Sequence, residues 1–337
     1  MNEELIVSGR MNPNIDPVLH LWHWQIPVYL FLGGLAAGVL FFAALYTLRD
    51  ESEKYPTAVK IAPILAPLAL VLGLFALFLD LKHKLYFWRL YTTIRLVSPM
   101  GWGAWVLMII TPLSFIWVAA YLKEIFPRID LKTKNIGWIY RIIFKENAGE
   151  VNWEWRFNWL INFEKFVIEK RKVFAWLILF YSIILGVYTG ILLSAFNARP
   201  LWNTAILGPI FLVSGLSTGA ASIMWMSKVE HEKKWFGKID IMLIIIELFF
   251  IVHLFMGFMA GPQVQIDAAK LFWGGEFTVY FGLFVVILGL IMPVVFELME
   301  MRGVHVHVAI PVLLVLIGGL IFRFVIVEAG QITRYLY

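Results

Sequence analysis

Residues 20–38 read HLWHWQIPVYLFLGGLAAG. Two histidines and two tryptophans stand at the head of an unbroken apolar run. Tryptophan at such a boundary marks the membrane–water interface, where the ring is buried and the N–H stays wet. Inside the run, Gly34 and Gly38 are four residues apart, which gives a helix one face that a second helix can approach closely in lipid. The stretch therefore reads as the entry of a membrane-spanning helix with proton-active groups at its mouth.

The rest of the chain agrees. Of 337 residues, 61% are hydrophobic and 15% charged, more apolar surface than a soluble domain needs. Apolar runs of about 20 residues recur, the length that crosses a bilayer core as a helix. They are continuous rather than alternating, which argues against a transmembrane barrel. The fold class is all-α and polytopic. There is no cysteine, so the chain carries no thiolate-bound iron–sulfur cluster, no disulfide and no c-type haem of its own. Residues 1–19, MNEELIVSGRMNPNIDPVL, have no apolar core and are not a secretory signal; the first span is expected to direct insertion.

Eight spans are expected, at about 26–48, 58–81, 100–122, 173–196, 205–226, 239–260, 275–299 and 307–329. Basic residues orient them. The segments on the side of both termini carry eight Lys and Arg, and the opposite segments carry nineteen. That bias places both termini outside and the loops in the cytoplasm. The net charge of +5 thus reports topology and gives no reason to expect a nucleic-acid partner. The segments are an outer entry (1–25), spans 1–3 (26–122), a long cytoplasmic loop (123–172), span 4 (173–197) and spans 5–8 (205–337). Within the long loop, VNWEWRFNWLINFEKF (151–166) sets Trp153, Trp155, Trp159 and Phe163 among polar groups, which predicts an interfacial helix.

Span 5 repeats the small-residue spacing of span 1, with Gly215 and Gly219 in FLVSGLSTGAA (211–221). Spans 1–4 and 5–8 are therefore expected as parallel repeats, each a four-helix bundle. The same spacing also arises by chance in glycine-rich spans.

Polar groups at membrane depth are costly and point to function. His20 and His23 precede span 1, Asp80 ends span 2, Tyr188 falls in the outer half of span 4, and Arg323, Glu328 and Gln331 close span 8. All converge on the outer face. A quinone site needs hydrogen-bond donors for two carbonyl oxygens, a proton-exchanging group and an apolar slot open to lipid. Histidine supplies the proton role and tyrosine the donor role. Against this, interfacial histidine and tryptophan are common anchors, and a lone membrane tyrosine is more often structural. Glu247 in span 6 and Glu297 in span 7 lie too deep to reach water easily. They mark a proton or ion route, or a buried hydrogen bond. Only His253 lies well inside a span, so bis-histidine haem is not expected, and no metal site is expected.

Several stretches, in order, resemble the NrfD/PsrC-type membrane subunits of respiratory oxidoreductases. They are WHWQIPVYLFLGGLAAG (22–38), DLKHKLYFWRL with SPMGWGAW (80–105), YTGILL (188–193), FLVSGLSTGAA (211–221) and RFVIVEAGQ (323–331). The resemblance implies two four-helix bundles, no haem, and a menaquinone or ubiquinone site near the outer face. It carries the quinone-contacting tyrosine onto Tyr188 and the histidine onto His20 or His23, with His20 preferred. It sets Asn14 and Asp16 nearby, with Arg323 and Gln331 lining or bracing the site. Asp80 matches an acid of structural or proton-exit role, and Glu328 is a further proton-path candidate. It also implies a ferredoxin-like iron–sulfur partner with four clusters, a molybdopterin catalytic subunit beyond it, and the cytoplasmic membrane of a prokaryote. The alternatives from the residues alone are an ion or proton transporter and a purely structural anchor.

Overall fold

The computed structural model describes residues 22–129, 141–147 and 149–334. Among them are eight helices long and apolar enough to cross a membrane. Span 1 is Gln25–Leu48, span 2 Thr57–Asp80, span 3 Pro99–Ile125 and span 4 Arg171–Ser194. Span 5 is Leu207–Met226, span 6 Glu230–Met259, span 7 Val279–Met301 and span 8 Ala309–Ile332.

Span 6 is 30 residues, about 45 Å at 1.5 Å per residue, longer than the hydrocarbon core. Its first turns are polar and run past the apolar segment, so it begins nine residues before the expected 239. The long loop differs from the expected single helix. Trp153–Trp155 is a strand paired antiparallel with Phe144–Glu146, and the helix is Asn158–Glu169. Strand residues alternate faces. Trp153 and Trp155 therefore turn together into a small core with Phe144, while Glu154 points away. Trp159 and Phe163 stay exposed on the helix.

Spans 1 and 5 form the middle of the assembly. Span 1 packs on spans 2, 4, 5 and 8, and span 5 on spans 1, 4, 6 and 8. Their two small-residue motifs face each other. A Cβ on Gly215 would sit 2.8 Å from the carbonyl oxygen of Gly34, and a Cβ on Gly219 would sit 2.8 Å from the Cα of Gly38. A Cβ on Gly38 would collide with the carbonyl of Gly215. Gly34 meets Gly215 and Gly38 meets Gly219, so the helices run parallel in register. A second glycine contact, Gly289 on Gly318, joins spans 7 and 8.

Two polar contacts fix the end of the assembly away from Trp22. Pro63 has no N–H to give the carbonyl of Val59, and span 2 opens there into a π turn over Thr57–Ile61. The Trp117 indole donates to that carbonyl at 3.0 Å. Glu232 of span 6 is fully buried and accepts from the amides of Thr57 and Ala58 at 3.3 and 2.9 Å, and from the Ser227 hydroxyl at 2.8 Å. A carboxylate at a helix N-terminus satisfies orphan amides and complements the helix dipole.

Gly38→Val is expected to separate spans 1 and 5, at a cost of about 1–3 kcal/mol or more for overpacking. Thermal unfolding of the detergent-solubilised protein should show a lowered Tm. Gly282→Ala, where a Cβ meets nothing within 4 Å, should leave Tm unchanged.

Candidate functional site

The ends of spans 1 to 4 on the Trp22 side, with the segment after span 2, enclose a cavity of about 420 Å³. Its walls are largely apolar, from Leu74, Phe75, Phe78, Phe87 and Leu107 among others. The polar side chains on it are Tyr29, Asp80, Tyr91 and Tyr188, with the Trp22 indole. Tyr188 and Tyr29 are 7% and 3% exposed, and among the described residues neither hydroxyl has a hydrogen-bond partner. Each can therefore donate to a ligand atom in the cavity.

Local sequence places these groups. Gly103 on span 3 lies against the Tyr188 ring, and any Cβ there would collide with the ring and its hydroxyl. Tyr29, Tyr91 and Tyr188 line the same cavity. The Tyr91 carbonyl accepts from the Trp105 indole at 3.3 Å, and burial pushes the Tyr91 hydroxyl pKa above its ordinary value. His23 is exposed beside Asp80 at the mouth.

A clasp holds the wall at Trp22. The Trp22 amide donates to Gln331 Oε1 at 2.8 Å, and Gln331 Nε2 donates to the Trp22 carbonyl at 2.8 Å. The Trp22 ring stacks on Trp202, with centroids 5.2 Å apart. The Trp202 indole donates to the Ile326 carbonyl at 2.8 Å, filling space that Gly330 leaves open. Arg199 ties down the same helix end, donating to the carbonyls of Gln331 and Thr333 at 2.9 and 2.8 Å.

A second set of polar groups runs through spans 5 to 8. The Arg323 guanidinium donates to Ser214 Oγ at 2.5 Å and to the Phe211 carbonyl at 3.2 Å, and stacks 4.7 Å over the Phe211 ring. Glu247 is buried beside Arg323 and Ser214. One turn along span 5, Ser217 donates to Asp240 Oδ1 at 2.6 Å, and Asp240 faces Glu297 of span 7. The second Asp240 oxygen and both Glu297 oxygens are buried and, among the described residues, have no hydrogen-bond partner.

A model of the family described as polysulphide reductase, NrfD, matches residues 11–334. The chain belongs to the NrfD family. It is 29% identical to the C subunit of the polysulfide reductase of Wolinella succinogenes over 325 residues, covering 92% of this protein and 94% of that one. It is 28% identical to the protein NrfD of Escherichia coli over 330 residues, covering 93% and 96%. A third NrfD-family relative, the NrfD homolog of Haemophilus influenzae, is 26% identical over 330 residues, covering 93% and 95%. With its eight apolar helices, this NrfD-family member is a multi-pass membrane protein.

The structure brings Tyr188, Asp80 and, at the mouth, His23 together. Asn14, Asp16 and His20 lie outside the described residues. Arg323 and Gln331 do not line the cavity; Gln331 braces its wall, and Arg323 belongs with Glu247 in the second set. Glu328 is half-buried in the last turns of span 8. Sequence reasoning passed over Tyr29, which looks like one more aromatic in an apolar run, although it precedes Gly33 by one turn. It also passed over Asp240, because the expected start of span 6 at 239 set it at the very edge of the span.

Gln331→Leu removes both bonds to the Trp22 main chain. Hydrogen exchange at the Trp22 amide should accelerate at least tenfold, the loss of about 1.4 kcal/mol of local protection, while amides in the middle of span 1 keep their rates.

Proposed function

We propose that this chain is the quinone-reactive membrane anchor of a multi-subunit respiratory oxidoreductase, not catalytically complete alone. It passes electrons between the menaquinone or ubiquinone pool and an iron–sulfur partner subunit, with a molybdopterin subunit beyond. The observation that carries the reading is the cavity: a slot of about 420 Å³ with aromatic and aliphatic walls, two tyrosine hydroxyls free to donate, and a carboxylate at its rim. That combination fits a flat ring with two oxygens on opposite edges.

Quinol oxidation releases two electrons and two protons, and the substrate supplies both. Tyr188 and Tyr29 hold the oxygens by donating hydrogen bonds. Asp80 accepts a proton at the rim, and the exposed imidazole of His23 hands it to water. The family resemblance gives His20, with Asn14 and Asp16, a part in quinone binding. Electrons leave to the partner, because a chain without cysteine holds no cluster of its own. The excess of basic residues on the loops opposite Trp22 supports a topology with both termini and the cavity outside, in the cytoplasmic membrane of a prokaryote. The glycine seam between spans 1 and 5 supports two four-helix bundles meeting along it.

The test is inhibitor-sensitive quinol oxidation and quinol-analogue binding by the purified complex. Tyr188→Phe and either His20→Ala or His23→Ala are expected to lower turnover at least tenfold with assembly intact. Wild-type behaviour of all three variants overturns the site.

A second reading, proton or ion movement through the chain, is favoured by the buried series Glu297, Asp240, Ser217, Ser214, Glu247 and Arg323. Ser214 and Ser217 are about one helical turn apart, which spaces the series along the membrane normal. If the series conducts protons during turnover, Glu247→Gln lowers the protons moved per electron in proteoliposomes. An unchanged ratio removes Glu247 from the route.

A further inference from the structure

Beside the cavity lies a second cleft of about 480 Å³ that the quinone reading does not use. The two share the wall formed by Leu81, Phe87, Leu90 and Met100. The second cleft is lined by four basic side chains, Lys82, His83, Arg89 and Arg95, together with Thr93 and Ser98. No acidic residue lines it, and residues 81–101 contain none. Among the described residues Lys82, Arg89 and Arg95 form no ion pair. The Arg89 guanidinium is held over the rings of Tyr86 and Trp88, at 4.8 and 5.7 Å, which fixes its plane and leaves its N–H fork free. Like charges gathered round one concavity repel, and a bound anion relieves that repulsion. Guanidinium forks match phosphate oxygens two at a time.

We propose that this cleft binds the phosphate group of an anionic phospholipid in the leaflet at the Trp22 end. Three observations favour a lipid as the source of the phosphate. The cleft sits where spans 2 and 3 end, which is headgroup depth. Its surroundings are greasy and exposed: Leu85 is 87% exposed, Ile94 72% and Val97 92%. Below it, Leu68, Leu72 and Phe75 of span 2 and Met108 of span 3 present an exposed apolar track for acyl chains. Basic pockets between membrane helices hold acidic headgroups in this way. Because the two clefts share a wall, the lipid would stand beside the cavity mouth.

The test uses the whole complex in nanodiscs of phosphatidylcholine with an equal share of phosphatidylglycerol. Lipids that remain bound after release are counted by native mass spectrometry. Wild type is expected to keep phosphatidylglycerol over phosphatidylcholine by at least fivefold. The double variant Arg89→Gln, Arg95→Gln should lose that preference at unchanged Tm, while Lys172→Gln, at the other membrane face, keeps it. Equal retention by wild type and double variant overturns the proposal. So does full displacement of the lipid by inorganic phosphate, which would mark a small-anion site. So does loss of the iron–sulfur subunit from the double variant with its lipid retained, which would mark a protein interface. If the double variant does not assemble, wild type decides alone: no preference for phosphatidylglycerol overturns the proposal. None of these readouts depends on quinone binding.

Discussion

The contact on which the rest depends is backbone against backbone, where span 1 meets span 5 with no side chain between. Lipid tails are as apolar as leucine, so two greasy helices gain little from each other by hydrophobic burial alone. They gain by close packing, and closeness here requires glycine at three points, Gly38, Gly215 and Gly219. With that seam set, the two most buried spans are fixed in register. The other six arrange around them with their large apolar side chains turned outward to lipid. The geometry at Tyr29, and therefore at the cavity, is inherited from the seam, because Tyr29 is part of the same rigid helix.

The cavity and the interior polar series occupy opposite sides of this seam. The cavity belongs to the ends of spans 1 to 4, and the series belongs to spans 5 to 8. Arg323 stands closest to the boundary: its Nη2 is 3.6 Å from where a Cβ on Gly34 would be. A Cβ there would be in ordinary van der Waals contact with the guanidinium and with the Cα of Gly215, so only a side chain larger than that of alanine would press on this buried guanidinium. That guanidinium is tolerated because Ser214, Glu247 and the Phe211 carbonyl surround it.

The number and order of the spans were legible because each is a continuous apolar run of bilayer length, a signal that single residues hardly perturb. Tyr188 and Asp80 were legible as polar groups at the ends of such runs. Other features were hidden for identifiable reasons. Tyr29 looks like lipid-facing aromatic surface until a cavity is seen against it. Asp240 was obscured by a boundary: span 6 continues as helix through KKWFGK beyond the hydrophobic core, so an acid at its apparent edge lies more than two turns inside the helix. Trp153 and Trp155 belong to a three-residue strand, too short for alternation to outweigh the helical pattern that follows. Gln331 was legible only as a closing polar residue, because its partners are main-chain atoms 309 positions away.

The clasp between Gln331 and Trp22 also sets an order of events during synthesis. Trp22 emerges from the ribosome with span 1, but its partner Gln331 emerges only with span 8. Until span 8 has been inserted, the wall of the cavity at Trp22 has no permanent fastening, and Trp202 has no Ile326 carbonyl to hold. A nascent polypeptide that still lacks span 8 therefore has an unfinished cavity wall at Trp22. The end of span 8 thus fastens a wall that the start of span 1 leaves open.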